Sequence, residues 1–404
     1  MTIPSPRPPG LRTVLAAPHV TPLLAGTLTG RLPAAMAPIA LLLTVRAEHG
    51  PVLLGAALAS LYALAGAIGQ PLLGRLVDRT RLVPVAAATA ALSTTAFALL
   101  AASGCTAHPA AAAVLAALAG AATPPLEAAM RAMWPRLLPR PEEQRAAFTL
   151  DSVSQELLFV IGPLTATALA QLASPDIALA VCAVATAAGT LAVAAQQPSR
   201  RTPPAAHREV HWTGALRSRG LLLLLAAMFF LGVNLGGFNV LALTLADATG
   251  ATWLAGLLPA AVSVGSLAGG LLFARSPWPH PPSRQLLYAA AGFALCGLPL
   301  LLVTSPPLVL AVSLCPGLYL APLVATAFLL ADRLAPLGTA TEAAAWLIAV
   351  IGLGQAAGSA AAGRLAPLGT TATACVPVLA AVLAAAILAA RHDLLTPTTS
   401  EKPA

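Results

Sequence analysis

The stretch Gly74-Arg75-Leu76-Val77-Asp78-Arg79-Thr80-Arg81 packs three arginines and an aspartate into eight positions. It lies between two apolar runs, in a 404-residue chain of which only 9% is charged. Each run is about twenty residues long, enough to cross a hydrocarbon core of about 30 Å as a helix. The charged turn therefore belongs at a membrane surface. Moving outward from it, the same alternation of long apolar runs and short charged islands fills the chain. Hydrophobic residues make up 58% of it and the mean hydropathy is +0.83. That composition excludes a soluble globular domain and gives a polytopic membrane protein.

Taking the gaps between apolar runs as turns gives a first set of spans near residues 20–45, 52–73, 83–103, 109–130, 147–172 and 176–196. The second set lies near 220–246, 251–274, 284–304, 307–331, 342–363 and 371–391. In lipid each span must satisfy its own backbone, so the fold class is all-α, with twelve transmembrane helices. Of the 22 Lys and Arg residues, only Arg46 and Arg364 fall in one set of alternate loops, and only Arg31 falls inside a span. The rest mark the opposite face, which the positive-inside bias assigns to the cytoplasm together with both termini. The expected location is the cell membrane, multi-pass, with the lipid bilayer as partner.

The connection 197–219, with Pro198, Pro203, Pro204 and five arginines, divides the chain into six-helix halves at 19–196 and 220–391. Residues 1–18 and 392–404 read as disordered ends. No short apolar core with a small-residue cleavage site precedes the first span, so it reads as uncleaved. The five cysteines are odd in number and lie in or beside apolar runs, as packing residues. Val160-Ile161-Gly162 recurs as Val350-Ile351-Gly352 one six-helix unit later, and Gly270 to Arg275 stands where the charged turn would repeat, without its acid.

Gly74, Leu76, Asp78 and Arg79 have the spacing of Gly-x-Leu-x-Asp-Arg, which resembles the signature between helices 2 and 3 of the major facilitator superfamily. Arg81 stands where that signature has its second glycine. Gly162-Pro163 resembles part of the family's antiporter motif, with Leu158 at its first glycine. The resemblance implies two parallel six-helix bundles with substrate held between them near the midplane. It implies that a cation at the end of helix 4, here Arg131, contacts Asp78 as a cytoplasmic gate. It also implies a cavity lined by helices 1, 4, 7 and 10.

The only lysine, Lys402, lies in the tail, so no phosphate-binding loop lysine is present, and neither nucleotide nor any other cofactor is expected. His207 and His211 lack a third ligand nearby, so no metal site is expected. The net charge of +8 sits in alternate loops and does not point to nucleic acid.

Arg31 lies about twelve residues, roughly 18 Å, into the first span, where a guanidinium needs an ion partner or water. It either holds an anionic group in the substrate cavity or locks the first bundle. Glu156, about nine residues into the fifth span, is its expected partner and the first candidate for proton coupling; Asp151 is the second. Glu127 and Arg131, four apart with the acid first, form an intrahelical pair at the gate. Asp78 is placed either to meet Arg131 or to cap the start of the eleventh span, where Glu342 also sits. Asn234 and Asn239, in a glycine-interrupted seventh span, are expected to line the cavity. Gly162, Pro163, Gly354 and Gly358 are expected to permit close helix packing.

Together these features give the expectation of a monomeric, non-enzymatic transporter that exports a small-molecule substrate in exchange for protons. Proton-linked uptake of a sugar or organic anion, and a non-transporting membrane sensor, are the competing readings.

Overall fold

The computed structural model describes residues 11–201, 214–251, 253–275, 280–303 and 305–395. A short helix, α1 (Leu11–Ala16), precedes α2 (Val20–Ala47), α3 (Val52–Arg79), α4 (Leu82–Ser103), α5 (Pro109–Ala121), α6 (Leu126–Leu137), α7 (Pro141–Leu172) and α8 (Pro175–Ala195). A short α9 (Gln197–Arg201) and a 3-10 turn at Gly214–Arg217 lead into the second half. That half contains α10 (Arg219–Thr249), α11 (Leu254–Arg275), α12 (Pro282–Gly297), α13 (Pro306–Leu334), α14 (Ala340–Leu365) and α15 (Thr370–Ala390). With α5 and α6 joined as one span, the described residues hold twelve helices long and apolar enough to cross a membrane.

Several helices start on proline: Pro109, Pro141, Pro175, Pro282 and Pro306 each stand in a first turn. A missing N–H costs nothing there, and the fixed φ favours helix. The fifth span uses this start, so it begins at Pro141, six residues before the expected 147. Part of the expected N-terminal disorder is helix as well, because Val14 of α1 is fully buried. Residues 1–10, the linker segment 202–213 with His207 and His211, and the tail 396–404 lie outside the described residues.

In lipid, helices associate through close packing and not through expulsion of water. Within the first half α2 packs on α8 and α3 on α5; within the second, α10 packs on α14 and α15, and α11 on α13. Small residues allow this. A Cβ on Gly189 of α8 would run into the backbone of Gly30 on α2, and Gly354 and Gly358 of α14 sit against the carbonyls of Phe229 and Val233 on α10.

The two halves meet through α3 and α6 on α14, and through α7 on α11 and α13. Gly74 of α3 rests on Thr341, Glu342 and Ala345 of α14, while Gly270 of α11 rests on Thr149 and Val153 of α7. The two glycines are thus related by the internal repeat. Both contacts lie on the arginine-rich face, and that face is closed.

Candidate functional site

The site begins at a break in the fourth span. Pro124 and Pro125 have no N–H, so the carbonyls four residues earlier lose their helical donors. The chain compensates locally: Thr123 N–H donates to the Gly120 carbonyl at 3.0 Å. Gln70 of α3 donates its amide to the Thr123 carbonyl at 2.9 Å. The helix restarts as α6 with Glu127 in its first turn. One turn on, Arg131 pairs with Glu127 at 2.5 Å.

That pair is half of a closed ring of four charges. Arg31 of α2 reaches Glu127 Oε1 with Nη2 at 3.1 Å and Asp151 Oδ1 with Nη1 at 2.8 Å. Arg131 closes the ring by donating from Nε to Asp151 Oδ2 of α7. Two cations alternate with two anions, and the ring carries no net charge. Asp151 is 0% exposed, Arg131 3%, Arg31 6% and Glu127 17%. A guanidinium cannot shed its charge on burial, so such a site is stable only when every charge is paired.

The ring gives Arg31 two partners, Glu127 and Asp151, whereas the expected pairing with Glu156 falls on a side chain outside the described residues. Because α7 starts at Pro141, Asp151 stands ten residues into its helix and Arg31 eleven past Val20, at matching depth. The arginine side chain leans toward the N-terminus of its own helix, which brings it down to Asp151. Glu156 lies on α7, with its side chain outside the described residues. Gly162 supports the same contact from further along α7: a Cβ there would overlap Ala35, one turn beyond Arg31, so α7 and α2 approach closely. Pro163 follows it inside the helix.

Charged side chains make several of the contacts between halves on the arginine-rich face. Asp78, near the end of α3, accepts the N–H groups of Thr341 at 3.3 Å and Glu342 at 2.8 Å, at the N-terminus of α14. This is the capping alternative. The gate pairing of Asp78 with Arg131 that the resemblance implied is not formed, because Arg131 spends its ion pairs on Glu127 and Asp151. Arg131 instead crosses the interface by laying its guanidinium on the Phe328 ring of α13, 3.4 Å from the centroid. Arg145 of α7 does the same to Phe273 of α11, at 5.8 Å. The second half of the repeat, which lacks the acid of the charged turn, thus uses a cation on an aromatic ring. Glu342 accepts the N–H of Ala215 from the linker's 3-10 turn and lies within the fields of Arg75 and Arg79.

Asn234, expected in the cavity, is engaged by another helix of its own half. Its amide donates to the Pro377 carbonyl of α15 at 2.7 Å, joining two helices of one half. Asn239 is exposed. No group of three or more His, Cys, Asp or Glu side chains among the described residues is arranged to hold a metal ion. Sequence reasoning missed Phe328, Phe273 and Arg145. With cation and ring on different helices of different halves, no local spacing signals either contact.

The fold is shared with solved membrane transporters. A bacterial homologue of the iron transporter ferroportin, in an outward-facing state, superposes with a TM-score of 0.74 at 16% identity, over 92% of this chain and 98% of that one. The human organic anion transporter MFSD10 (TETRAN) gives 0.66 at 16% identity, over 95% and 100%. The E. coli fucose:proton symporter FucP gives 0.71 at 13% identity, over 92% and 98%. No curated protein matches this sequence. The family model of the Major Facilitator Superfamily matches residues 23–359. With that match across most of the chain and twelve spans in two packed halves, the chain belongs to the Major Facilitator Superfamily.

Proposed function

We propose that this transporter exports a small organic molecule in exchange for protons, by rocking its two halves about a site near the midplane. One observation carries the reading: a buried, charge-balanced ring in the first half touches the second half through Arg131 on Phe328. A ring of this kind links the protonation of a carboxylate to the contact between halves, which is what coupling requires. The arginine excess assigns the closed face to the cytoplasm, with both termini there and the chain in the cell membrane. The conformation described is then the one open to the outside. All four charges are paired within the ring, so Arg31 offers no unpaired cation to an anionic substrate, which favours a neutral or weakly charged one. The partial antiporter motif at Gly162-Pro163 supports exchange over symport. Asn239 lines the cavity, and the chain acts as a monomer.

Uptake is the second reading, supported by the likeness in fold to a fucose:proton symporter. The test is accumulation of a panel of dyes, antibiotics and metabolites in pump-deficient cells expressing the chain, with and without a protonophore. Export predicts that one compound class stays low only while the proton gradient stands. Gradient-dependent accumulation of a solute would replace export by uptake.

A further inference from the structure

We infer that Glu127 is the carboxylate that exchanges the transported proton, and that Arg131 converts its protonation into opening of the arginine-rich face. The inference rests on the proton-coupled reading above and assigns it a residue and a direction.

The two acids of the ring are not equivalent. Asp151 is fully buried and gives one oxygen to each arginine, Oδ1 to Arg31 and Oδ2 to Arg131. A proton there would have to displace an ion pair with no path to water. Glu127 makes both ion pairs with Oε1 alone, and it is the ring's most exposed member. A proton can therefore settle on Oε2 without displacing either arginine first. Position sets the side from which it comes. Glu127 is one helical turn, about 6 Å, further than Arg131 from the arginine-rich end of α6, so it is nearer the face that is not closed.

Neutralising Glu127 leaves Arg31 and Arg131 facing Asp151 alone, a buried site of net charge +1. Arg131 is the member with an exit, because it lies on Phe328 at the seam between halves. An unbalanced guanidinium in a dry seam is relieved by water, and water reaches it when the halves part there. Protonation from the open face therefore favours opening of the closed one, and proton release to that side restores the ring and the seal. That order is the return half of an exchange cycle.

Of the other titratable groups on the elements packed against α6, Glu142, Glu143 and Arg145 lie at the arginine-rich start of α7, and the Glu156 side chain is outside the described residues. Arg31 of α2 and Asp151 of α7 belong to the ring. On α3, Tyr62 meets Thr123, one turn before Glu127, and Arg75, Asp78 and Arg79 lie at the arginine-rich end. On α14, Glu342 is engaged by Ala215 and Trp346.

The test reads the distance between spin labels at Arg140→Cys and Leu337→Cys, exposed positions on opposite halves of the arginine-rich face. The carrier is the full-length protein, with its own cysteines replaced, in lipid nanodiscs from pH 5 to 9. The wild-type background should shift toward longer distances as pH falls. Glu127→Gln should hold the long-distance population at every pH, and Glu127→Asp should keep the transition with its midpoint moved. A purely structural acid would leave the midpoint in place. If Glu127→Gln keeps the wild-type transition, the assignment to Glu127 is overturned and proton coupling stands, and whichever of Asp151→Asn, Glu156→Gln and Asp78→Asn abolishes it names the acid. If the wild-type background shows no transition, proton coupling falls with it.

Discussion

Replacing Asp78 by alanine should open the arginine-rich face without unfolding the protein. The carboxylate accepts two N–H groups at the start of α14, one at 2.8 Å and one at 3.3 Å. Hydrogen bonds to a charged group contribute about 1.5–3 kcal/mol each net of water, and the longer one here belongs at or below the low end. The favourable field at a helix N-terminus adds about 0.3–1 kcal/mol. A total of about 2–5 kcal/mol holds only while the halves are closed, because the donors and the acceptor belong to different halves. At 1.4 kcal/mol per factor of ten, the variant should shift the closed-to-open ratio by about 30- to 4,000-fold. The same label pair at Arg140→Cys and Leu337→Cys reads that ratio, and thermal unfolding of the unlabelled variant tracks folding. Asp78→Asn keeps an acceptor but loses the charge, so it should fall between wild type and alanine. An unchanged distance distribution in Asp78→Ala would refute the reasoning and leave the charged turn as a marker of topology alone.

Phe328→Leu should move the same equilibrium in the same direction by about 5- to 30-fold, the equivalent of a desolvated cation–π contact of about 1–2 kcal/mol, whereas Phe328→Trp should keep the face closed. An effect of Phe328→Trp as large as that of leucine would assign the contact to shape and not to the ring's charge distribution. Asn234→Ala removes the bond to Pro377 and should cost about 1 kcal/mol of stability, seen as a lower Tm, with transport kinetics intact; a loss of transport at unchanged Tm would return Asn234 to the cavity. At the opposite end, Glu48 ties the turn after α2 to the turn between α4 and α5. Burial pushes its carboxyl up, but hydrogen bonds from Thr106 and from the Cys105 N–H outweigh this and hold it below the ordinary value of 4.5. Stability from that clasp is complete above the ordinary value and is lost as pH falls through the depressed one. Glu48→Gln should therefore flatten the acid limb of the Tm-versus-pH curve, and an unaltered limb would show that the clasp does not contribute.

The sequence by itself determined the twelve spans, the division into halves and the face that carries the arginines. Those features follow from lengths and composition along one chain, where a bilayer leaves helices as the only way to satisfy the backbone. It also singled out each charge of the ring, because a guanidinium or carboxylate deep in an apolar run is costly wherever it stands. Only the tertiary structure decided how they pair. Spacing fixes distances within one helix, as for Glu127 and Arg131, but partners on different helices depend on where each helix starts and how it crosses its neighbour. A start six residues earlier at Pro141 brought Asp151 level with Arg31. The contacts of Arg131 with Phe328 and of Asp78 with α14 join residues far apart in the chain, so they exist only once the halves have docked.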